Sequence, residues 1–262
     1  MDMFAAIIWN VDKEIISFGS FAIRWYGLLF ALGFIIGYQI MQWIFLREGK
    51  TQKQLDSLAI TMIVTTVVGA RLGHCLFYEP AYYLSNPIAI FKVWEGGLAS
   101  HGAAVAIIFG LWLYSKRQKN INFMWILDRI VIVIALAGTL IRLGNFFNSE
   151  IYGIPTDVSW AVIFKNVDDI PRHPVQLYES FSYLIIFVVL FLIYKLKHPN
   201  LKSGLLFGLF LVGIFGARFI LEYFKVYQAD FEVGLPLKMG QILSIPLILI
   251  GLYFIFKKNK KD

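Results

Sequence analysis

The run FMWILDRIVIVIALAGTLIRLGNFF, Phe123–Phe147, decides the architecture. It is apolar along almost all of its length and reaches the roughly 17 to 25 residues that a helix needs to cross a hydrocarbon core of about 30 Å. It then closes on Arg142 and Asn145, and Asn148 and Glu150 follow directly. The composition of the whole chain agrees with a bilayer environment. Of 262 residues, 58% are hydrophobic, 17% aromatic and only 16% charged, with a mean hydropathy of +0.68. A soluble domain has roughly 45–50% apolar and about 25% charged residues.

Working outward from this run, other apolar stretches predict helices at about 21–45, 55–78, 97–115, 174–195, 204–224 and 239–256. The expectation is an all-α polytopic membrane protein with about seven transmembrane helices, read as one catalytic domain over residues 1–262 with a small outward-facing region. The segments from Pro80 to Glu95 and from Tyr152 to His173 are long enough for small ordered elements, and Val158 to Phe164 has strand composition. Met1 to Glu14 carries Asp2, Asp12 and Glu14 without a basic start, so it does not read as a cleaved leader. The single cysteine, Cys75, excludes a disulfide framework within the chain.

Lys and Arg give the orientation. Arg47, Lys50, Lys53, Lys116, Arg117, Lys119, Lys195, Lys197, Lys202 and the tail lysines 257, 258, 260 and 261 fall on one side. Lys13, Lys92, Lys165, Arg172, Lys225 and Lys238 are spread over longer stretches on the other. The positive-inside rule then places the N-terminus outside and the C-terminus in the cytoplasm. The net charge of +7 thus reads as anchoring to anionic lipid at helix ends, with no role for nucleic acid.

Polar residues within the apolar runs carry the functional reading. An ionisable side chain inside a bilayer costs at least roughly 2.5 to 3.5 kcal/mol, so each one is a site hypothesis. Arg24 and Tyr26 fall in the outer end of the first helix; Arg71, His74 and Glu79 in the second; His101 in the third. Arg142, Asn145, Asn148 and Glu150 close the fourth, and Arg218 and Glu222 the sixth. Arg71, Arg142 and Arg218 each lie roughly 7 to 10 Å inside the expected boundary at 1.5 Å per residue. Arg142 and Asn145 share a helix face, with Ser149 continuing it. Arg218 and Glu222, at i and i+4, have the spacing of an ion pair. Snorkelling of single arginines accounts for Arg24 but needs no Asn partner beside Arg142.

Several guanidinium groups at one depth make a clamp for phosphate, whose oxygens they match with paired hydrogen bonds. The abundant phosphate there is a phospholipid headgroup. His101, within Gly96-Gly97-Leu98-Ala99-Ser100-His101-Gly102, has a pKa suited to accepting a proton. No His-Glu-x-x-His, nucleophile-elbow or Gly-rich phosphate-loop motif is present, four scattered histidines suggest no metal site, and no cofactor is implied. A transporter would place polar residues on both sides of the midplane and often repeat internally; here they crowd one half. A structural subunit would leave the arginines without a purpose.

Arg24-Trp25-Tyr26-Gly27, the 96–102 glycine stretch, Arg142-Leu143-Gly144-Asn145-Phe146-Phe147-Asn148-Ser149-Glu150, Pro171-Arg172-His173-Pro174-Val175-Gln176-Leu177-Tyr178-Glu179 and Met239-Gly240-Gln241-Ile242-Leu243-Ser244 resemble the prolipoprotein diacylglyceryl transferases. They occur in that family's order and run from the first helix to the last. The arginine-glycine-asparagine block is the most specific. Ser149 departs from the pattern, since family members often carry Gly there. The resemblance implies transfer of the diacylglyceryl group of phosphatidylglycerol to the lipobox cysteine thiol of prolipoprotein signal peptides, forming a thioether and releasing glycerol phosphate. It also implies the bacterial inner membrane, with the active site toward the outer half. By matching positions, Arg142, Tyr26, Asn145, Glu150, Gly153 and Glu222 are expected to bind substrate, and His101, Arg142 and Arg218 to serve catalysis, with His101 the candidate base.

Overall fold

The computed structural model describes residues 6–18, 21–93, 96–227, 232 and 234–258. Asp2, Glu95 and the tail lysines 260 and 261, used above, lie outside the described residues. Among the described residues eight α-helices form: α1 Trp25–Arg47, α2 Gln52–Phe77, the short α3 Pro80–Ser85, α4 Ser100–Arg117, α5 Phe123–Phe147, α6 Val175–Lys197, α7 Leu205–Leu221 and α8 Met239–Phe256. Six of them, α1, α2, α5, α6, α7 extended to Phe224, and α8, are long and apolar enough to cross a membrane. The all-α polytopic reading therefore holds. The difference from seven is α4, which has 18 residues and carries Ser100-His101 at one end and Lys116-Arg117 at the other, so its apolar stretch is short.

The helix starts and stops follow local chemistry. Gly49 at φ +65° turns the chain after α1, and Thr51 and Gln54 form a reciprocal capping box at α2. Asn122 accepts the Trp125 N–H at the start of α5 (2.7 Å). Residues 21–24, expected in the first helix, instead form a strand. Phe21–Arg24 pairs antiparallel with Glu14–Phe18, and Arg24 reaches Glu14 across that hairpin at 3.1 Å. The expected 158–164 strand forms at Val162–Phe164, parallel to Ile7–Trp9 and antiparallel to Pro171–Arg172. The 80–95 segment holds α3 and a 3-10 turn at Pro87–Phe91.

The residues gather into two compact units, Met1–Gln39 with Asp128–Asp262, and Ile40–Leu127. In the second unit α2 and α4 cross closely. A Cβ at Gly69 would stand 2.3 Å from the Ala106 Cβ, and one at Gly102 would stand 2.4 Å from the Gly69 carbonyl. Small residues allow backbones to approach where lipid gives no hydrophobic drive for helix association. In the first unit a Cβ at Gly208 would meet the Gly251 carbonyl at 2.7 Å, joining α7 to α8. Asp128 on α5 is wholly buried and accepts the Gly204 and Phe207 N–H groups at 2.7 and 2.9 Å. It caps the N-terminus of α7 from a neighbouring helix, where the orphan donors have no water to turn to. A cluster of Phe146, Val162 and Phe164, with Trp9, Tyr152 and Leu177 packed on it, seats the small sheet at the end of α5.

Candidate active site

The first unit assembles a charged cluster at the C-terminal end of α5. Arg142 Nε lies 3.1 Å from the buried carboxylate of Glu179 on α6, and its Nη1 donates to Asn145 Oδ1 at 3.3 Å. Asn145 passes the chain on through Nδ2 to Glu150 Oε1 at 2.7 Å, and Asn148 donates to the same oxygen at 3.3 Å. Tyr26, on α1, is within electrostatic reach of both Glu150 and Arg142. Its ring packs where a Cβ on Gly144 would stand 2.9 Å away, so the glycine in the arginine-glycine-asparagine block makes room for the tyrosine. Gln176 Nε2 donates to the Glu150 carbonyl at 2.7 Å. The Arg142–Asn145 pair is thus as the i, i+3 spacing foretold. Ser149 does not continue that face: α5 ends at Phe147, and Ser149 turns the chain at φ +55°.

The Arg218–Glu222 pair expected from spacing does not form. Glu222 is 3.2 Å from the ammonium of Lys225, which also lies 2.9 Å from Glu179. Lys225, Glu179 and Glu222 are all buried. Lys238 bonds the carbonyls of Glu222 (3.0 Å) and Lys225, and a Cβ on Gly240 would meet the Glu222 carboxylate at 2.4 Å. Arg218 Nε is buried without a hydrogen-bond partner among the described residues. Tyr183 on α6 feels Arg142, Arg218 and Glu179 together, which places the two arginines about the same tyrosine. Gly153 contributes no side chain; its N–H donates to the His173 carbonyl at 2.9 Å and it bridges to Lys225. A Cβ there would stand 2.6 Å from His173 and 2.7 Å from the Phe224 carbonyl.

Glu179, Lys225 and Tyr183 were missed as site members by sequence reasoning. Glu179 sits in the fifth predicted helix and closes one of the quoted stretches, and an acid so placed was itself a signal. Lys225 gave none, because it reads as an ordinary loop cation.

The second unit disposes of other candidates. Arg71 is no clamp member. It is buried, donates to the carbonyls of Ile90 (2.8 Å), Gly96 (2.6 Å) and Ala89 (2.5 Å), and lies over the Tyr83 ring. Its donors are used in holding the loop after α3. Gly97, at φ +69°, leaves space that His74 and Arg71 fill, since a Cβ would meet them at 2.6 and 2.8 Å. His74 stacks on Tyr78 and stands 3.9 Å from Glu79. His101 is exposed in the first turn of α4 and touches the rings of Phe77 and Tyr78. Cys75 is buried with Tyr83 and Ala89. In the first unit, outside the apolar spans, the Arg172 guanidinium hydrogen-bonds Asp168 and holds its carboxyl below the usual range. Burial lowers the pKa of His173, whose Nδ1 is 3.1 Å from the Tyr178 hydroxyl.

Apolar helices of bilayer length with two partly buried arginines beside buried carboxylates and amides at their ends define a polytopic membrane protein whose polar site suits an anionic ligand. The family model described as prolipoprotein diacylglyceryl transferase matches residues 13–257. The chain belongs to that family. It is 49% identical over 255 residues to the phosphatidylglycerol–prolipoprotein diacylglyceryl transferase of Tolumonas auensis, covering 97% of this chain and 98% of the relative. It is 50% identical over 261 residues to the protein of the same name from Chloroherpeton thalassium, covering 100% and 97%. The Porphyromonas gingivalis relative, also so named, is 43% identical over 275 residues, covering 99% and 97%.

Proposed function

We infer that this membrane protein transfers the diacylglyceryl group of phosphatidylglycerol to prolipoprotein, the first step of lipoprotein maturation. The observation that carries the reading, beside the family, is a pair of partly buried arginines beside buried carboxylates. Arg142 is aimed by Glu179 and Asn145, and Arg218 has a buried Nε with no hydrogen-bond partner among the described residues.

In the proposed step the acceptor is the thiol of a lipobox cysteine in the signal peptide. Its sulfur forms a bond to the sn-3 carbon of the lipid as the bond from that carbon to the phosphate oxygen breaks. Glycerol phosphate leaves with the electron pair, and the thiol proton passes to a base. Charge grows on the departing phosphate, so donors already fixed around it lower the barrier. Arg142 and Arg218 are assigned to that phosphate, Asn145 and Glu150 to keeping Arg142 and Tyr26 in register at the lipid headgroup, and His101, exposed on α4, to accepting the proton. Cys75 is buried in an apolar cluster, which keeps a thiol inert, so transfer is direct to the peptide. The site is assigned to the outer half of the bacterial inner membrane, with the N-terminus outside, on the Lys and Arg asymmetry.

The purified protein in phosphatidylglycerol nanodiscs, given a lipobox peptide, is expected to raise the peptide mass by one diacylglyceryl group, read by mass spectrometry. Arg142→Lys keeps the charge but loses the planar fork, and turnover should fall at least about tenfold, equivalent to roughly 1.4 kcal/mol. His101→Gln should lose the proton acceptor. No thioether from the parent protein would end the functional reading, and unchanged turnover of His101→Gln from pH 6 to 9 would remove His101 from the base role.

A further inference from the structure

Helical register alone would pair Arg218 with Glu222, one turn later on α7 and its 3-10 extension. Such a pair would neutralise the guanidinium that the proposed lipid phosphate needs. Instead Lys225 sits between two carboxylates, 2.9 Å from Glu179 and 3.2 Å from Glu222, with its side chain almost wholly enclosed. Glu179 is shared between Lys225 and Arg142. The remaining nearby acid, Glu150, accepts from the Asn145 and Asn148 amides. None of these three carboxylates pairs with Arg218, whose Nε is buried and unbonded among the described residues.

The place of Lys225 is fixed by backbone. Its residue bridges to Gly153, its N–H donates to the Glu222 carbonyl at 3.2 Å and its own carbonyl accepts from Lys238. The 3-10 turn Glu222–Phe224 brings the ammonium back over the carboxylate three residues earlier. A buried carboxylate that loses its partner is strongly unfavourable, so Glu222 without Lys225 would turn to the nearest cation in register, Arg218.

We propose that Lys225 is a positioning residue for the anion site: by engaging Glu179 and Glu222 it keeps Arg218 free to bind the phosphodiester of the lipid. This rests on the functional reading above, in which that phosphodiester belongs to phosphatidylglycerol. Glu222 then acts as a buried counter-ion and has no direct contact with the substrate.

The test measures phosphatidylglycerol binding to the full-length protein by native mass spectrometry, together with thioether formation and thermal melting. Lys225→Met should weaken lipid binding at least about tenfold, and Lys225→Arg should stay within a few-fold of the parent. Adding Glu222→Gln to Lys225→Met removes the acid that quenches Arg218, and should recover most of the lost affinity. A purely structural lysine predicts the opposite order, with the double variant melting lower and binding no better. Should Lys225→Met not fold, Lys225→Gln, which keeps a donor for Glu179, asks the same question. Parent-like lipid affinity in Lys225→Met or Lys225→Gln, or no recovery in the double variant, overturns the proposal while the transferase reading stands. A parent protein that binds the lipid but makes no thioether would overturn that reading and leave the role of Lys225 to the binding data.

Discussion

Ser149 adopts φ +55° at the end of α5, and its buried hydroxyl oxygen has no partner among the described residues. A left-handed conformation costs an L-residue roughly 1 to 2 kcal/mol, which is the physical reason glycine suits the position. Ser149→Gly should relieve that strain and remove an unsatisfied polar atom, offset in part by the greater freedom glycine gives the unfolded chain. The expected gain is about 0.5 to 1 kcal/mol, read as a rise of a few degrees in the melting midpoint in detergent with turnover retained; a lower midpoint would show that the serine is held by something more than its neighbours' packing. Arg142 and Asn145 were legible at this scale because i, i+3 spacing fixes which side chains of one helix meet. Arg218 and Glu222 had equally good spacing, yet a lysine from beyond the helix took the carboxylate. Spacing names the candidates, and competition in three dimensions chooses among them.

Within α7, stability begins at an acid on another helix. Asp128 holds two N–H groups of the first turn of α7 at 2.7 and 2.9 Å, while Gly204 turns the chain at φ +85°. Removing a helix cap costs roughly 0.5 to 2 kcal/mol in water, and bare donors within a membrane cost more. Asp128→Ala should therefore destabilise the protein by about 2 kcal/mol or more, with Asp128→Asn losing less because an amide oxygen still accepts. Comparing the melting of the two variants in detergent checks this, and equal losses would point to packing and away from capping. Helix extents were largely readable, since long apolar runs admit one solution in a bilayer. The first turn of the first predicted helix was not, because residues 21–24 could only become a strand once Glu14–Phe18 was beside them.

For the molecule as a whole, the asymmetry of Lys and Arg supports a cytoplasmic C-terminus. Cysteines introduced at the exposed positions Lys53 and Lys119 should resist an impermeant thiol reagent in intact cells, and one at exposed Asp157 should react. Labelling at Lys53 and Lys119 without lysis would reverse the orientation. Taken alone, the sequence determined that the chain crosses a membrane several times, that Arg142 and Asn145 share a face, and, through ordered motifs, which family it resembles. Hydropathy and helical period are local properties, so they survive without coordinates. Tertiary structure alone decided that Arg71 is spent on loop carbonyls, that Glu179 aims Arg142, and that Lys225 holds Glu222 away from Arg218. Each of those outcomes depends on which groups distant in sequence come within about 3 Å in a medium with little water to compete.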